Sequence, residues 1–288
     1  MSKRVFLLGD SFTDNLYQYN FFYKKMGIND EAGQIRKYID CILEDTGEMP
    51  LYFDDWLKVW GYDVFNFGLG GCSIYHTFNQ FARIDKNFVK GDGIIVNWTN
   101  PERLDWFTDS GRLQILQGRS NDYILRPDAK LAMEEQLVIR MTSMKNEDGI
   151  GYLKKETIPF MSRLVDLHSK YQPIQWSPFN NISNLLSKDN WFFYEVTHPI
   201  FKDYIKEYDS LRILGETNGK CDDGHYSRYG NYYTALIFKT IMEYKSTTSN
   251  YINDNNLLDV VFDTVKKNSP NFDKVDWKSK TKIYKNIL

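Results

Sequence analysis

The sequence predicts an α/β fold built on a central parallel sheet, and three short apolar runs carry that prediction. Val5-Phe6-Leu7-Leu8 breaks off at Gly9-Asp10-Ser11, Asp63 to Asn66 runs into Gly68-Leu69-Gly70-Gly71, and Gly93 to Val96 ends at a polar loop. The first, four apolar residues rich in branched side chains and closed by turn residues, reads as a buried strand, and the other two read as further short strands. Helical patterns lie between them. Strand, helix, strand, helix, strand is the signature of βαβ units, whose crossovers make neighbouring strands parallel. Sheets of this kind carry their sites on the loops that leave the strand C-termini.

The elements are taken in chain order. In "YFDDWLKVWG", Trp56, Leu57, Val59 and Trp60 have helical spacing and Gly61 stands where a C-cap belongs. A second helical stretch, "SIYHTFNQFARIDKNFVK", joins the second strand to the third. Residues from about 104 to 150 exceed the usual βα connection and read as an insertion, a lid or partner surface, with its own helix around Ala129 to Met144. "KKETIPFMSRLVDLHSKY" places Phe160, Leu164, Leu167 and Tyr171 on one helical face, and "QPIQWSPF" is the next strand. A closing helix turns Tyr233, Leu236, Ile237 and Ile241 inward. From Ser246 a polar linker, "STTSNYINDNN", leads to a short Lys-rich, weakly amphipathic remainder. The expected organisation is a domain over 1–245 with the insertion inside it, and an appended extension over 246–288 suited to docking on a protein partner.

Composition narrows the function classes. With 288 residues, 42% hydrophobic and 26% charged, the chain supports a large core. A net charge of -2 supplies no field to attract nucleic acid or an anionic membrane. Cys41, Cys72 and Cys221 are scattered, without the spacing of a disulfide framework or a zinc site, and read as free or buried thiols. The apolar stretch after Lys3-Arg4 ends at Gly9-Asp10, too short for a signal peptide, and no stretch approaches a membrane span. These features predict a soluble protein of the cytoplasm or of a virus particle. Aromatic residues make up 16% of the chain, a share that suits sugar-stacking grooves as well as cores.

Four blocks carry chemistry: Gly9-Asp10-Ser11 after the first strand, Gly71 after the second, Asn100 after the third, and Asp222-x-x-His225 before the closing helix. In this order and spacing they resemble the SGNH, or GDSL, hydrolases, over roughly residues 4 to 243. The resemblance implies a flavodoxin-like three-layer fold and a serine esterase needing no cofactor. A serine hydroxyl is a poor nucleophile until a base takes its proton, and histidine suits that role near neutrality. That pairs Ser11 with His225. The resemblance assigns the supporting carboxylate to Asp222, with the adjacent Asp223 as rival. It assigns the oxyanion donors to the N–H groups of Ser11 and Gly71 and the side-chain amide of Asn100.

The third block departs from the family. Where Gly-x-Asn-Asp is common, this chain has Asn97-Trp98-Thr99-Asn100-Pro101-Glu102-Arg103, so Asn97 competes with Asn100 and could instead bond the strand end. Other residues have structural readings. Ser11 could be a helix N-cap; Gly68 and Gly70 read as turn formers; His76, His168 and His198 read as surface or core histidines. Glu195-Val196-Thr197-His198 is a second acid-x-x-His pair, with no closing helix directly after it. Asp10, Asp14, Asp222, Asp223 and His225 lack the paired histidines of a hydrolytic metal site. The expected substrate is an acyl ester, an acetyl group on a carbohydrate being favoured. The competing expectation is a structural or binding component of a larger assembly, such as a bacteriophage particle, that keeps the hydrolase shell.

Overall fold

The computed structural model describes residues 3–17, 33–100, 103–107, 113–117, 161–162, 164–165, 173–179, 192–247 and 256–268. Five strands form the central sheet: β1 (Arg4–Leu8), β2 (Asp63–Asn66), β3 (Gly93–Asn97), β6 (Ile174–Ser177) and β7 (Phe192–Tyr194), side by side in the order β2-β1-β3-β6-β7. Every pairing is parallel, with Leu7 opposite Asn66 on one side and Ile95 on the other. Counting only the strands of this sheet, the order is 2-1-3-4-5, that of the flavodoxin-like doubly wound folds. The chain reverses direction across the sheet between β1 and β3, which opens a crevice beyond their C-terminal ends.

Strands buried on both faces read as unbroken apolar runs, because helices cover the sheet above and below. Alternation along β1 shows the two layers. Val5 and Leu7 face one core with Ile95, Ile174 and Trp176, while Phe6 and Leu8 face a second with Ile94 and Val96. Helices α1 (Gln34–Thr46) and α2 (Phe53–Val59) cover the first face with Tyr38, Ile42, Trp56 and Leu57. Helix α3 (Ile74–Ile84) covers the second with Ile74 and Phe81. The architecture is therefore α/β/α in three layers.

The expected second and third strands, the α2 pattern and the inward face of the closing helix, α5 (Arg228–Thr247), all match: Tyr233, Leu236, Ile237 and Ile241 are buried. Helix α1 lies in a part of the sequence where no helix was expected. Inside the expected insertion, β4 (Arg103–Phe107) and β5 (Leu113–Gln117) pair as an antiparallel hairpin, apart from the main sheet. The helix expected around Ala129 to Met144 lies outside the described residues. In the next helical stretch Met161 and Val165 are buried and Leu164 half-buried; Phe160, Leu167 and Tyr171 of the expected inward face lie outside the described residues.

The C-terminal extension needs correction. Helix α6 (Asn256–Asn268) lies along α5 and sinks Leu257, Val261 and Val265 completely into the first core. Its Phe262 stacks on Tyr204 at 4.3 Å and meets Phe201 edge-on at 5.5 Å. An apolar residue every fourth position makes this an integral helix rather than an appendage. No helix among the described residues is long and apolar enough to cross a membrane.

Candidate active site

The site begins where β1 stops. Gly9 has φ +154°, and a Cβ there would fall 2.4 Å from Thr13 Oγ1 and 2.5 Å from the Cβ of Asn97, so only glycine lets β1 and β3 converge here. The next residue, Asp10, is fully buried and organises the turn that bears the serine. Its carbonyl accepts the N–H groups of Thr13 and Asp14, each at 2.8 Å, curling the chain tightly around Ser11. One carboxylate oxygen accepts Phe12 N–H at 3.0 Å and the Asn97 amide at 2.7 Å; the other accepts the Thr99 hydroxyl at 2.5 Å and the Arg103 guanidinium at 2.8 Å. A buried carboxylate needs such pairing to be tolerated. Tyr52 donates its hydroxyl to the Ser11 carbonyl at 2.9 Å, fixing the backbone on the far side.

His225 arrives from a loop on the opposite rim. Its Nε2 lies 2.9 Å from Ser11 Oγ, and its Nδ1 lies 2.6 Å from Asp223 Oδ1. An ionised carboxylate only accepts, so Nδ1 carries the ring proton and Nε2 offers its lone pair to the serine hydroxyl. Burial pushes the Asp223 carboxyl up, but hydrogen bonds from the His225 ring and N–H, with the charges of His225 and Arg212, outweigh it and hold Asp223 below the usual carboxylate range. The Phe12 ring flanks the imidazole at 4.7 Å.

The carboxylate on His225 is thus Asp223, and the assignment of Asp222 is corrected. In this irregular stretch consecutive side chains take opposite sides: Cys221 is buried, Asp222 exposed, Asp223 half-buried. The Asp222 N–H donates outward to Gln34 Oε1 at 3.1 Å. Two residues before the histidine, Asp223 closes an Asx turn in which Oδ1 accepts the His225 N–H at 2.7 Å as well as the ring. Family spacing pointed to Asp222; the local turn geometry selects its neighbour.

The residues expected as oxyanion donors differ in what already engages them. In the glycine turn after β2, Gly68 N–H bonds Asn66 Oδ1 and Gly70 N–H bonds Asp14 Oδ2, both at 2.8 Å, while Leu69 and Cys72 bond the carbonyls of Gly9 and Leu69. Gly71, at φ +80°, and Ser11 donate their N–H groups to nothing among the described residues. Asn97 is fully buried with its amide on Asp10, which makes it the strand-end bonder. Asn100 is half-buried in the loop beyond, between Thr99 and Arg103, both tied to Asp10. The departure in the third block acquires a purpose: Thr99 and Arg103 lash this loop to the serine turn.

The remaining histidines and acids find ordinary places. His198 Nδ1 accepts Ile200 N–H at the start of a short helical turn, and burial lowers its pKa. His76 lies on α3 beside Gln80, and His168 is outside the described residues. Glu195 and His198 share one turn, His198 N–H bonding the Glu195 carbonyl at 2.9 Å, but their side chains serve different partners, since the Glu195 carboxylate pairs with Arg212. Among the described residues no three His, Cys, Asp or Glu side chains gather as a metal-ion site. Sequence reasoning passed over Arg212 and the tie from Arg103 to Asp10. Arg103 stood in view as a break in the third block; nothing marked Arg212. Comparison with protein-family models, with curated proteins and with solved structures finds no match.

Proposed function

We propose that the chain is a serine hydrolase of the SGNH type that cleaves a short acyl ester, acetyl esters being the reference substrate, through an acyl-enzyme. One observation carries this reading: the unbroken hydrogen-bond chain Ser11–His225–Asp223, with Ser11 just past the C-terminal end of β1, where the path of the chain across the sheet reverses. Ser11 Oγ attacks the acyl carbon as its proton passes to His225 Nε2, and Asp223 stabilises the imidazolium that forms. The N–H groups of Ser11 and Gly71 and the amide of Asn100 receive the oxyanion. Such donors act because they are already in place before charge develops. His225 then protonates the leaving alcohol, and water repeats the sequence to release the acid.

The expectation of a docking extension loses support over 256–268, since that helix spends its apolar face on the core. The aromatic share also speaks less for a sugar groove: among the described residues the largest fully buried side chains are Trp56, Trp98, Trp176 and a set of Tyr and Phe residues.

The test uses the purified protein on p-nitrophenyl acetate, longer-chain esters and acetylated polysaccharides. Hydrolysis should fall with acyl length. Ser11→Ala and His225→Ala should each lose activity on the order of 10⁴-fold or more, the double variant being little worse than either single. Wild-type-like turnover by either single variant sinks the reading.

A further inference from the structure

A histidine that must accept a proton across 2.9 Å has to be aimed, and the loop carrying His225 is half-exposed. Arg212, from the residue just before α4 (Ile213–Glu216), reaches this loop from beneath. Nη1 donates to the Gly224 carbonyl at 2.6 Å, between Asp223 and His225. Nη2 donates to Thr197 Oγ1 at 3.0 Å and to the buried carboxylate of Glu195, both just past the end of β7. The guanidinium lies 4.6 Å from the Tyr226 ring centre and 5.2 Å from that of Phe12, the ring flanking the imidazole. Tyr226 closes the circle by donating its hydroxyl to Glu195 at 3.3 Å. Beside this, Arg212 and Tyr226 form an antiparallel bridge, and Ile213 N–H bonds the His225 carbonyl at 3.0 Å.

We propose that Arg212, anchored by Glu195 and Thr197, is a positioning residue that aims His225 at Ser11 by clamping the Gly224 peptide and the Phe12 ring. The proposal rests on the serine-hydrolase reading of the site. A planar fork with several donors can hold a carbonyl, a hydroxyl and a carboxylate at once while stacking on aromatic rings; an ammonium cannot. Misplacement of a catalytic group by about 1 Å is enough to cost about a hundredfold in rate.

Arg212→Ala should lower kcat by about tenfold to a hundredfold on p-nitrophenyl acetate with KM within about twofold, and Arg212→Lys should recover only part of the loss. The proton on His225 Nδ1 gives a second readout, independent of turnover. Bonded to Asp223 it should resonate far downfield in the proton NMR spectrum, disappear in Asp223→Asn, and move or broaden in Arg212→Ala. Should Arg212→Ala fail to fold by thermal melt, Glu195→Gln is measured instead; it keeps the bonds to Gly224 and Thr197 but removes the ion pair that anchors the fork, and should lower kcat a few-fold with KM unchanged. A kcat within twofold of wild type in the folded variant, or an unmoved Nδ1 signal, overturns the proposal. If the wild type neither hydrolyses esters nor labels at Ser11 with a fluorophosphonate, the hydrolase reading fails, and the NMR comparison still decides whether Arg212 orients the histidine.

Discussion

The two sides of the candidate site are held in different ways. On the serine side, Asp10 is fully buried and takes four side-chain-directed hydrogen bonds, from Phe12, Asn97, Thr99 and Arg103. The histidine side is half-exposed and hangs from α4 by backbone bonds and one guanidinium. A serine hydrolase asks for this division. On the proposed reading oxyanion donors work only if they do not reorganise, and the serine turn and the Asn100 loop are tied together through the buried Asp10. The base has to swing its proton from one oxygen to another, which a partly exposed loop with a firm anchor permits.

The largest expected effect breaks the histidine side. Asp223→Asn should lower kcat on the order of 10³–10⁴-fold, because an amide no longer enforces the tautomer that leaves Nε2 free to accept. Asp222→Asn, an exposed change, should stay within about twofold. Equal losses in the two variants would return the assignment to an undivided acidic pair. An intermediate effect probes the serine side. Asn100→Ala should reduce kcat on the order of a hundredfold with KM little changed, the mark of a contact made in the transition state. Asn97→Ala should instead lower the melting temperature, since it leaves Asp10 short of a buried donor, and spare most of kcat in the protein that remains folded. The reverse ranking would move the oxyanion donor to Asn97.

The smallest effect lies behind the serine turn, where Asn15 donates to both Asp54 and Asp55 at 2.7 and 2.9 Å, and Lys58 pairs with both. Burial, with the neighbouring Asp55 charge, pushes the Asp54 carboxyl up from 3.8 to about 6 despite Lys58. A carboxyl whose folded pKa is raised holds its proton more tightly in the folded state, so this residue adds stability as pH falls from about 6 toward 4 and withdraws it as pH rises. Between pH 7 and 5, wild type should gain melting temperature relative to Asp54→Asn, by a few degrees. Parallel curves for the two proteins would show that Asp54 does not titrate in that window.

Much of this arrangement was legible in the sequence. The strands at Val5 and Ile95 announce themselves because burial on both faces leaves no choice but apolar runs, the half-exposed edge strand at Val64 is marked instead by the glycine turn after it, and Gly9-Asp10-Ser11 stands out as the point where the first run ends. Ser11 and His225, which the structure brings to 2.9 Å, follow from block order. Asp223 was legible only as the rival of Asp222, because whether a carboxylate two or three residues away reaches an imidazole depends on φ and ψ in a short loop, not on spacing. Arg212 was hidden for a related reason: it acts on a carbonyl, which every residue has, so no motif marks the pair. Helix α6 was misread because its three core residues, Leu257, Val261 and Val265, sit among Asp and Lys, and so little apolar surface looks dispensable until its partner groove is seen.

That last helix also bears on how the protein reaches its fold. Val5 of the first strand and Val265 of α6 belong to one core, so a chain emerging from a ribosome cannot close that core until almost its whole described length has been made. The nascent sheet must wait with one flank exposed, a state in which chaperones and proteases find their targets. Synthesis that stops after α5 should release a sticky intermediate rather than a smaller folded protein.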